Sequence, residues 1–422
     1  IRRPTRSTLF PYTTLFRSPD APNLYRIKTI IKSGENILDE YWTPLGFRYF
    51  RFDPDNGFFL NDQPLKFNGV CLHHDNGCLG AVEHIRAVER KLENLKKMGC
   101  NAIRTSHNPP SQELIELCDA MGFMVMDEVF DEWLSPKTPM GYWRHFKEWY
   151  ERDVRDFVWR DRNHPSIIIW SCGNEVHEQK TQEGVEIAKK LVAIFHREDP
   201  TRPVTQGCNN PAEANRTGFS EVLDVMGYNY YGDVILSMKD EGFLCRYDAE
   251  HKTYPKRILI GSENVSALIT RGIYHFPPVI NSQDPRDDFH CNAYDWKSDI
   301  TLIIAKTRPY VCGSFTWEGI DYIGEPTPYN WPTRSSQYGI IDLAGFRKDT
   351  YYLYQSMWTD QPMVHIVPQN WNWQPGMQVP VWIYTNCETA ELFLNGKSLG
   401  EKHFEYDDVA KILWEEDRKS VV

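Results

Sequence analysis

From Leu65 onward the chain alternates short apolar runs with stretches of helical periodicity. Eight such runs can be counted: LKFNGVCLHH, NAIRTSH, MVMDEVF, IIIWSCGNE, PVTQGC, DVMGYNYY, ILIGSEN and YVCGSFTWEG. Short apolar runs bounded by turn signals fit strands buried on both faces. The segments between them read as amphipathic helices. EHIRAVERKLENLKKMG carries apolar residues at helical spacing and stops at Gly99, while PPSQELIELCDAMG opens on Pro, is capped by Ser111 and ends at Gly122. This alternation predicts an α/β fold with a parallel sheet. Eight strands are the number that closes a (β/α)8 barrel, although a doubly wound sheet would alternate in the same way.

The ends of the runs separate these architectures. Nearly every run finishes in groups able to do chemistry or to bind hydroxyls: His73 and His74, Arg104 and His107, Asp127 and Glu128, Asn174 and Glu175, Asn229 and Tyr230, Glu263, and Trp317 with Glu318. In a barrel those ends converge on one rim, where active sites lie. The stretch SIIIWSCGNEVHEQ then has a simple logic, because the apolar run fixes a buried strand and the strand aims Glu175 at the central cleft.

Glu175 and Glu263 end runs four and seven, so they approach the barrel axis from different sides. Two inward carboxyls flanking one bond are what glycoside hydrolysis requires, with roughly 5 to 5.5 Å between them for the retaining route and a wider gap for inversion. A lone glutamate at such a position pairs more often with an arginine or caps a helix. Two of them, each beside an asparagine (Asn174 and Asn264), favour catalysis. His73, His74 and His107 raise the alternative of a metal-dependent hydrolase. Adjacent histidines on a strand point to opposite faces, runs five and six carry no histidine, and no lysine ends run four. No metal and no cofactor are therefore expected. His73 and His107 read as hydrogen-bond donors to substrate oxygens, with a structural role open for His74. Tyr230 could bond a nucleophile and Trp317 could floor a sugar site, or both could be packing.

Composition narrows the partners. Formal net charge is -11 with basic residues scattered, so neither nucleic acid nor an anionic membrane is expected as a partner. The longest apolar runs are too short to span a bilayer. Ten cysteines without short paired spacing argue against a zinc site and a disulfide scaffold. Aromatic residues make up 14%, which suits sugar rings, although packing accounts for most of them. Nothing in the composition assigns a compartment or an oligomeric state.

FNGVCLHHD, NAIRTSHNPPS, MDEVFDEW, NHPSIIIWSCGNE, ILIGSEN and GSFTWEGIDYIGEPTPYNWPTRSSQYGIIDLAGF together resemble glycoside hydrolase family 2, the β-galactosidase, β-glucuronidase and β-mannosidase group. The resemblance covers about Ser18 to Glu416. It implies a retaining exo-β-glycosidase acting on a carbohydrate, with Glu175 as acid/base, Glu263 as nucleophile and Asn174 on the sugar 2-hydroxyl. His73, His107, Tyr230 and Trp317 fall on the family's positions around the bound sugar. Three departures refine it. Leu72-His73-His74-Asp75 stands where many members carry Arg-His-Glu or Arg-His-Asp. The Asn-x-Lys element of typical β-glucuronidases is not evident around NWPTRSSQYG. The magnesium-binding histidine of the best-known β-galactosidases has no counterpart where DEVFDEW runs into Leu134. The GEPTPYNWPTRSSQYGIIDLAG stretch is most similar to barrels labelled β-galactosidase, with β-glucuronidase or β-mannosidase as alternatives. A non-catalytic carbohydrate-binding barrel, which would have lost one of the two glutamates, is the alternative from another class.

The resemblance also divides the chain. Residues 19–52 are expected to be the last strands of an immunoglobulin-like sandwich, 53–360 the catalytic barrel, and 361–416 the start of a further β-sandwich with a hairpin turn at Asn395-Gly396. Residues 1–18 and 417–422 read as a translated sequencing adapter, one end from each strand of the same oligonucleotide, and are expected to stand outside the fold.

Overall fold

The computed structural model describes residues 16–239, 242–272, 274, 296–369, 381–403 and 411–414. The outermost residues expected to be adapter, 1–15 and 417–422, lie outside the described residues. The eight runs form eight parallel strands: β1 Phe67–Leu72, β2 Ala102–Thr105, β3 Met124–Glu128, β4 Ile167–Asn174, β5 Val204–Cys208, β6 Met226–Asn229, β7 Leu259–Val265 and β8 Val311–Trp317. They pair in chain order into one closed barrel, and β8 returns to β1 with Gly313 opposite Phe67 and Thr316 opposite Val70. Gly313 is required at that seam. Its φ is +134°, and a Cβ there would lie 2.4 Å from the Phe67 backbone nitrogen.

Among the described residues eight α-helices follow the strands: α1 Ile85–Lys97, α2 Gln112–Met121, α3 Trp143–Asp161, α4 Gln182–Glu198, α5 Pro211–Thr217, α6 Arg246–Thr253, α7 Trp296–Thr307 and α8 Asp349–Trp358. The stop signals read from the sequence operate as expected. Ser111 Oγ accepts from the Leu114 amide at 3.1 Å to cap α2, and Gly122 ends it in the left-handed conformation. Gly99, just beyond α1, has φ +91°.

The strands are apolar on both faces because both faces are buried. Val70, Leu72, Ile103 and Val125 pack outward with Val88, Leu92, Leu95 and Ile115 of the helices. Cys71, Ala102, Met124, Met126, Ile260 and Phe315 fill the interior. A three-stranded sheet of Phe50–Asp53, Gly57–Leu60 and Gln63–Leu65 joins the interior cluster from the N-terminal side of the strands. Its Phe58 ring lies 4.6 Å from Phe67, which in turn lies 5.9 Å from Phe315. That mouth is filled with apolar side chains, and the polar groups gather at the other.

Outside the barrel, Tyr25–Ser33 and Asn36–Leu45 form an antiparallel hairpin that exposes Ile27, Ile31, Leu38 and Trp42. Arg17, inside the stretch expected to be adapter, is buried and donates to the carbonyls of Cys118 and Phe123 at 2.8 Å each. Towards the C-terminus, Val364–Val367, Val381–Thr385 and Ile412–Trp414 make a three-stranded sheet. Thr389–Leu394 pairs with Lys397–His403 across Asn395 and Gly396, whose φ values of 50° and 79° suit the expected tight hairpin turn. Among the described residues nine cysteines are free, and no helix is long and apolar enough to cross a membrane.

Candidate active site

The polar rim is organised around Arg104, which projects from β2 into the barrel and is fully buried. Its Nη1 donates to Glu263 Oε2 at 2.7 Å and its Nη2 to Asn174 Oδ1 at 2.8 Å. Nε and Nη2 both reach Glu128 Oε2, at 3.0 and 2.8 Å. Burial alone would weaken the guanidinium as a base, but the charges of Glu128 and Glu263 outweigh it and hold Arg104 well above its ordinary range. One cation therefore connects the ends of β2, β3, β4 and β7.

Glu263 is almost fully buried, and its second oxygen accepts from the Tyr230 hydroxyl at 2.6 Å. Burial pushes its carboxyl up to about 7; Arg104 and Tyr230 pull it down, and the negative charge of Glu175 pushes it up. Glu175 is more open. Its Oε1 accepts from Asn229 Nδ2 at 3.0 Å and its Oε2 from Asn209 Nδ2 at 2.9 Å. Glu175 and Tyr230 both have positive φ, 42° and 53°. Such backbone costs of order 1 kcal/mol for a non-glycine residue and is characteristic of side chains aimed at a site.

Asn174 lies between the two glutamates. Its Oδ1 accepts from Asn229 at 3.1 Å as well as from Arg104, while its Nδ2 donates to Asp131 at 3.2 Å and faces His107 Nε2 at 3.3 Å. The other face of His107 meets Glu128, with Nδ1 2.7 Å from Oε1. Burial and the Arg104 charge depress His107 well below the usual imidazole range, so it is neutral, donating through Nδ1 to Glu128 and accepting through Nε2 from Asn174.

His73 has the opposite charge state. Its Nδ1 lies 2.6 Å from Glu318 Oε2 and its backbone N–H donates to Glu318 Oε1 at 2.7 Å. Burial opposes protonation, but Glu318 and Glu325 overcome it and raise His73 to about 10. The ring stacks on Tyr322 at 4.0 Å, and Trp317 stacks on His107 at 5.2 Å. His73, His107 and Trp317 thus make one aromatic and imidazole wall.

The seven residues singled out from the sequence, Glu175, Glu263, His73, His107, Asn174, Tyr230 and Trp317, lie in this single cluster. Two neighbours do not join it. His74 is exposed, and Asn264 turns away from Glu263 to donate to Ser314 Oγ at 2.8 Å. The sequence reading named Arg104, Asn229, Glu128 and Glu318 only as groups at strand ends. Asn209, Asp131 and Glu325 lie on loops and Tyr322 in a two-residue strand, where no periodicity marks a direction, and the sequence does not single them out. Beside His107 and Asp131 a cavity of about 540 Å³ runs between Phe130, Tyr142 and Arg160. Among the described residues no group of three or more His, Cys, Asp or Glu is placed to hold a metal ion.

A closed (β/α)8 barrel with two strand-end carboxyls at the polar mouth is an architecture that suits glycoside hydrolysis. Residues 54–344 match the model of glycosyl hydrolases family 2, TIM barrel domain, and the chain belongs to that family. Residues 376–417 match a domain of unknown function. The chain is 44% identical to a β-galactosidase of Bacteroides ovatus over 94% of its own length and 50% of that protein. It is 35% identical to a putative β-glucuronidase of Formosa agariphila, over 91% of the chain and 38% of the relative. In structure it is similar to a β-glycosidase from Bacteroides vulgatus, with a TM-score of 0.82 and 38% identity over 96% of the chain and 53% of the other. The chain spans half or less of the length of these two curated relatives.

Proposed function

We propose that this barrel is the catalytic part of a retaining exo-β-glycosidase that hydrolyses terminal β-galactosides. The observation that carries the reading is the unbroken polar chain from Glu175 through Asn229, Asn174 and Arg104 to Glu263. It supports two carboxyls held in fixed relation with different surroundings, which is how one fold assigns two roles to one residue type. In the first step the Glu263 carboxylate attacks the anomeric carbon, the glycosidic C–O bond breaks, and Glu175 gives its proton to the departing oxygen. In the second, Glu175 takes a proton from water, the water oxygen bonds the anomeric carbon, and the bond to Glu263 breaks. Arg104 and Tyr230 orient Glu263 and favour its ionised form against the effect of burial. We assign Asn174 to the sugar 2-hydroxyl, for which its Nδ2 would leave Asp131 or His107, and we assign Trp317 with the two histidines to the wall of the sugar pocket.

The galactoside assignment draws on the name of the relative at 44% identity. Relatives named for β-glucuronidase activity at 35% and 28% identity make glucuronides the second reading. The roles are tested with the protein expressed from its complete reading frame. Glu175→Ala should slow substrates with poor leaving groups far more than activated aryl glycosides, and azide should rescue it to a β-glycosyl azide. Glu263→Ala should lose turnover for every leaving group, because the covalent intermediate cannot form. Exchanged phenotypes would reverse the roles, and near-parental rates for Glu263→Ala on natural substrates would end the reading.

A further inference from the structure

One carboxylate on the rim has no part in the double displacement. Glu325 lies on the loop between two short paired strands, Tyr322–Ile323 and Ser335–Ser336. The Gly324 amide donates to the Arg334 carbonyl at 3.0 Å and closes the base of that loop, while Tyr322 fixes the base against His73 by stacking. Glu325 Oε2 stands 3.5 Å from His73 Nε2, with its side chain 50% exposed. The other carboxylates nearby are engaged. Glu128 and Glu318 are fully buried on Arg104 and His73, and Asp131 holds Lys137 at 2.6 Å and Asn174. Among the described residues no Lys or Arg pairs with Glu325, and its cationic partner is His73, which approaches Oε2 only to 3.5 Å, so its oxygens keep acceptor capacity towards the open site.

The topology says which part of a sugar that carboxylate would meet. The loop follows β8, four strands around an eight-stranded ring from β4, so it faces Glu175 across the mouth. The leaving group departs on the Glu175 side. The edge of the sugar remote from the scissile bond, which carries the hydroxyls at C4 and C6, then points to the β8 side. An ionised carboxylate is an acceptor only, so it bonds hydroxyls and repels another carboxylate.

We infer that Glu325 is a specificity-determining residue, accepting hydrogen bonds from the remote hydroxyls of a neutral hexose and excluding hexuronic acids, whose C6 carboxylate would stand against it. This rests on the glycosidase reading above. The test compares p-nitrophenyl β-D-galactoside with the matching galacturonide, which differ only in oxidation at C6, in the parent, Glu325→Gln and Glu325→Asp. The parent should prefer the galactoside. Glu325→Gln should lower kcat/KM for the galactoside about tenfold to a hundredfold, the usual worth of a hydrogen bond to a charged group, and move the ratio towards the galacturonide by at least about tenfold. Glu325→Asp, which keeps the charge, should still reject the galacturonide. Thermal melting shows whether each variant is folded. A ratio moved less than about twofold in a folded Glu325→Gln, or a parent that prefers the galacturonide, overturns the inference. Labelling of Glu263 by an activated fluorosugar separates the two claims: a labelled enzyme with an unmoved ratio sinks the inference alone, and an enzyme neither labelled nor active on any aryl β-glycoside sinks both.

Discussion

Replacing Arg104 by Gln tests the centre of the site most severely. The guanidinium is completely buried and serves Glu128, Glu263 and Asn174 together, with a further bond to the Ser262 carbonyl at 3.1 Å. Glutamine, with a single nitrogen and no charge, cannot serve all of them. Glu128 would keep only Ser171 and His107, and Glu263 only Tyr230. Breaking a buried ion pair from one side costs about 3–5 kcal/mol, because a desolvated charge is left behind. Protonation of Glu128, whose carboxyl burial already pushes upward, relieves part of that. The activity change has a definite sign. In the proposed mechanism Glu263 attacks in its ionised form; burial has raised it to about 7, and Arg104 is the stronger of the groups pulling it down. Without Arg104 it rises further, so the acidic limb of kcat/KM against pH moves to higher pH. On that limb, moving the profile by one pH unit lowers the fraction of ionised nucleophile about tenfold, and loss of orientation adds about a hundredfold. Denaturant unfolding reads the first effect, and the pH profile on an aryl β-galactoside reads the second. If the acidic limb stays in place and kcat/KM falls by less than about tenfold, Arg104 is a packing residue and the ionisation argument fails.

Two further outcomes are expected. Ser111→Ala should destabilise the barrel by about 1 kcal/mol by removing the cap on α2, with kcat/KM unchanged when measured well below the melting temperature; a melting temperature equal to the parent's would contradict the cap. Prolonged dialysis against EDTA should leave most activity, since two carboxyls suffice for the displacement and the histidines of the site are engaged with Glu318 and Glu128; loss that added divalent metal restores would revive the metal-hydrolase reading.

The barrel was legible because its strands repeat one instruction. In β1 to β3 simple alternation sends Cys71, Ala102, Met124 and Met126 inward and Val70, Ile103 and Val125 outward. The same parity carries Arg104 and Glu128 inward, so their pairing could have been read from position alone. Glu128 and Glu318 stand at strand ends as Glu175 and Glu263 do, and nothing in the pattern of the runs shows that the fold seals them against Arg104 and His73. Loop residues such as Glu325 and Asn209 carry no periodic signal, so their approach to the site depends on tertiary structure.

The two central glutamates are the instructive case, because alternation misplaces one and fails to explain the other. Ile260 lies in the barrel interior, so strict alternation along β7 would turn Ser262 and Asn264 inward and Glu263 outward. The pairing slips instead: Tyr228 lies opposite Gly261, but Asn229 lies opposite Glu263. The same occurs at β4, where Ser171 faces Thr205 and Asn174, three residues on, faces Gly207, two residues on. An extra residue in one strand reverses its phase, which is how a bulge re-aims a side chain beside an active site. In β7 the slip brings Glu263 to Arg104 and sends Asn264 to Ser314. In β4 it brings Asn174 to Arg104, and the positive φ of Glu175 lets the next residue face the same cleft. A bulge is a relation between two strands, so a single strand's pattern cannot show it. That is why the sequence marked these glutamates by their place at strand ends, while the direction of each depends on its neighbour's register.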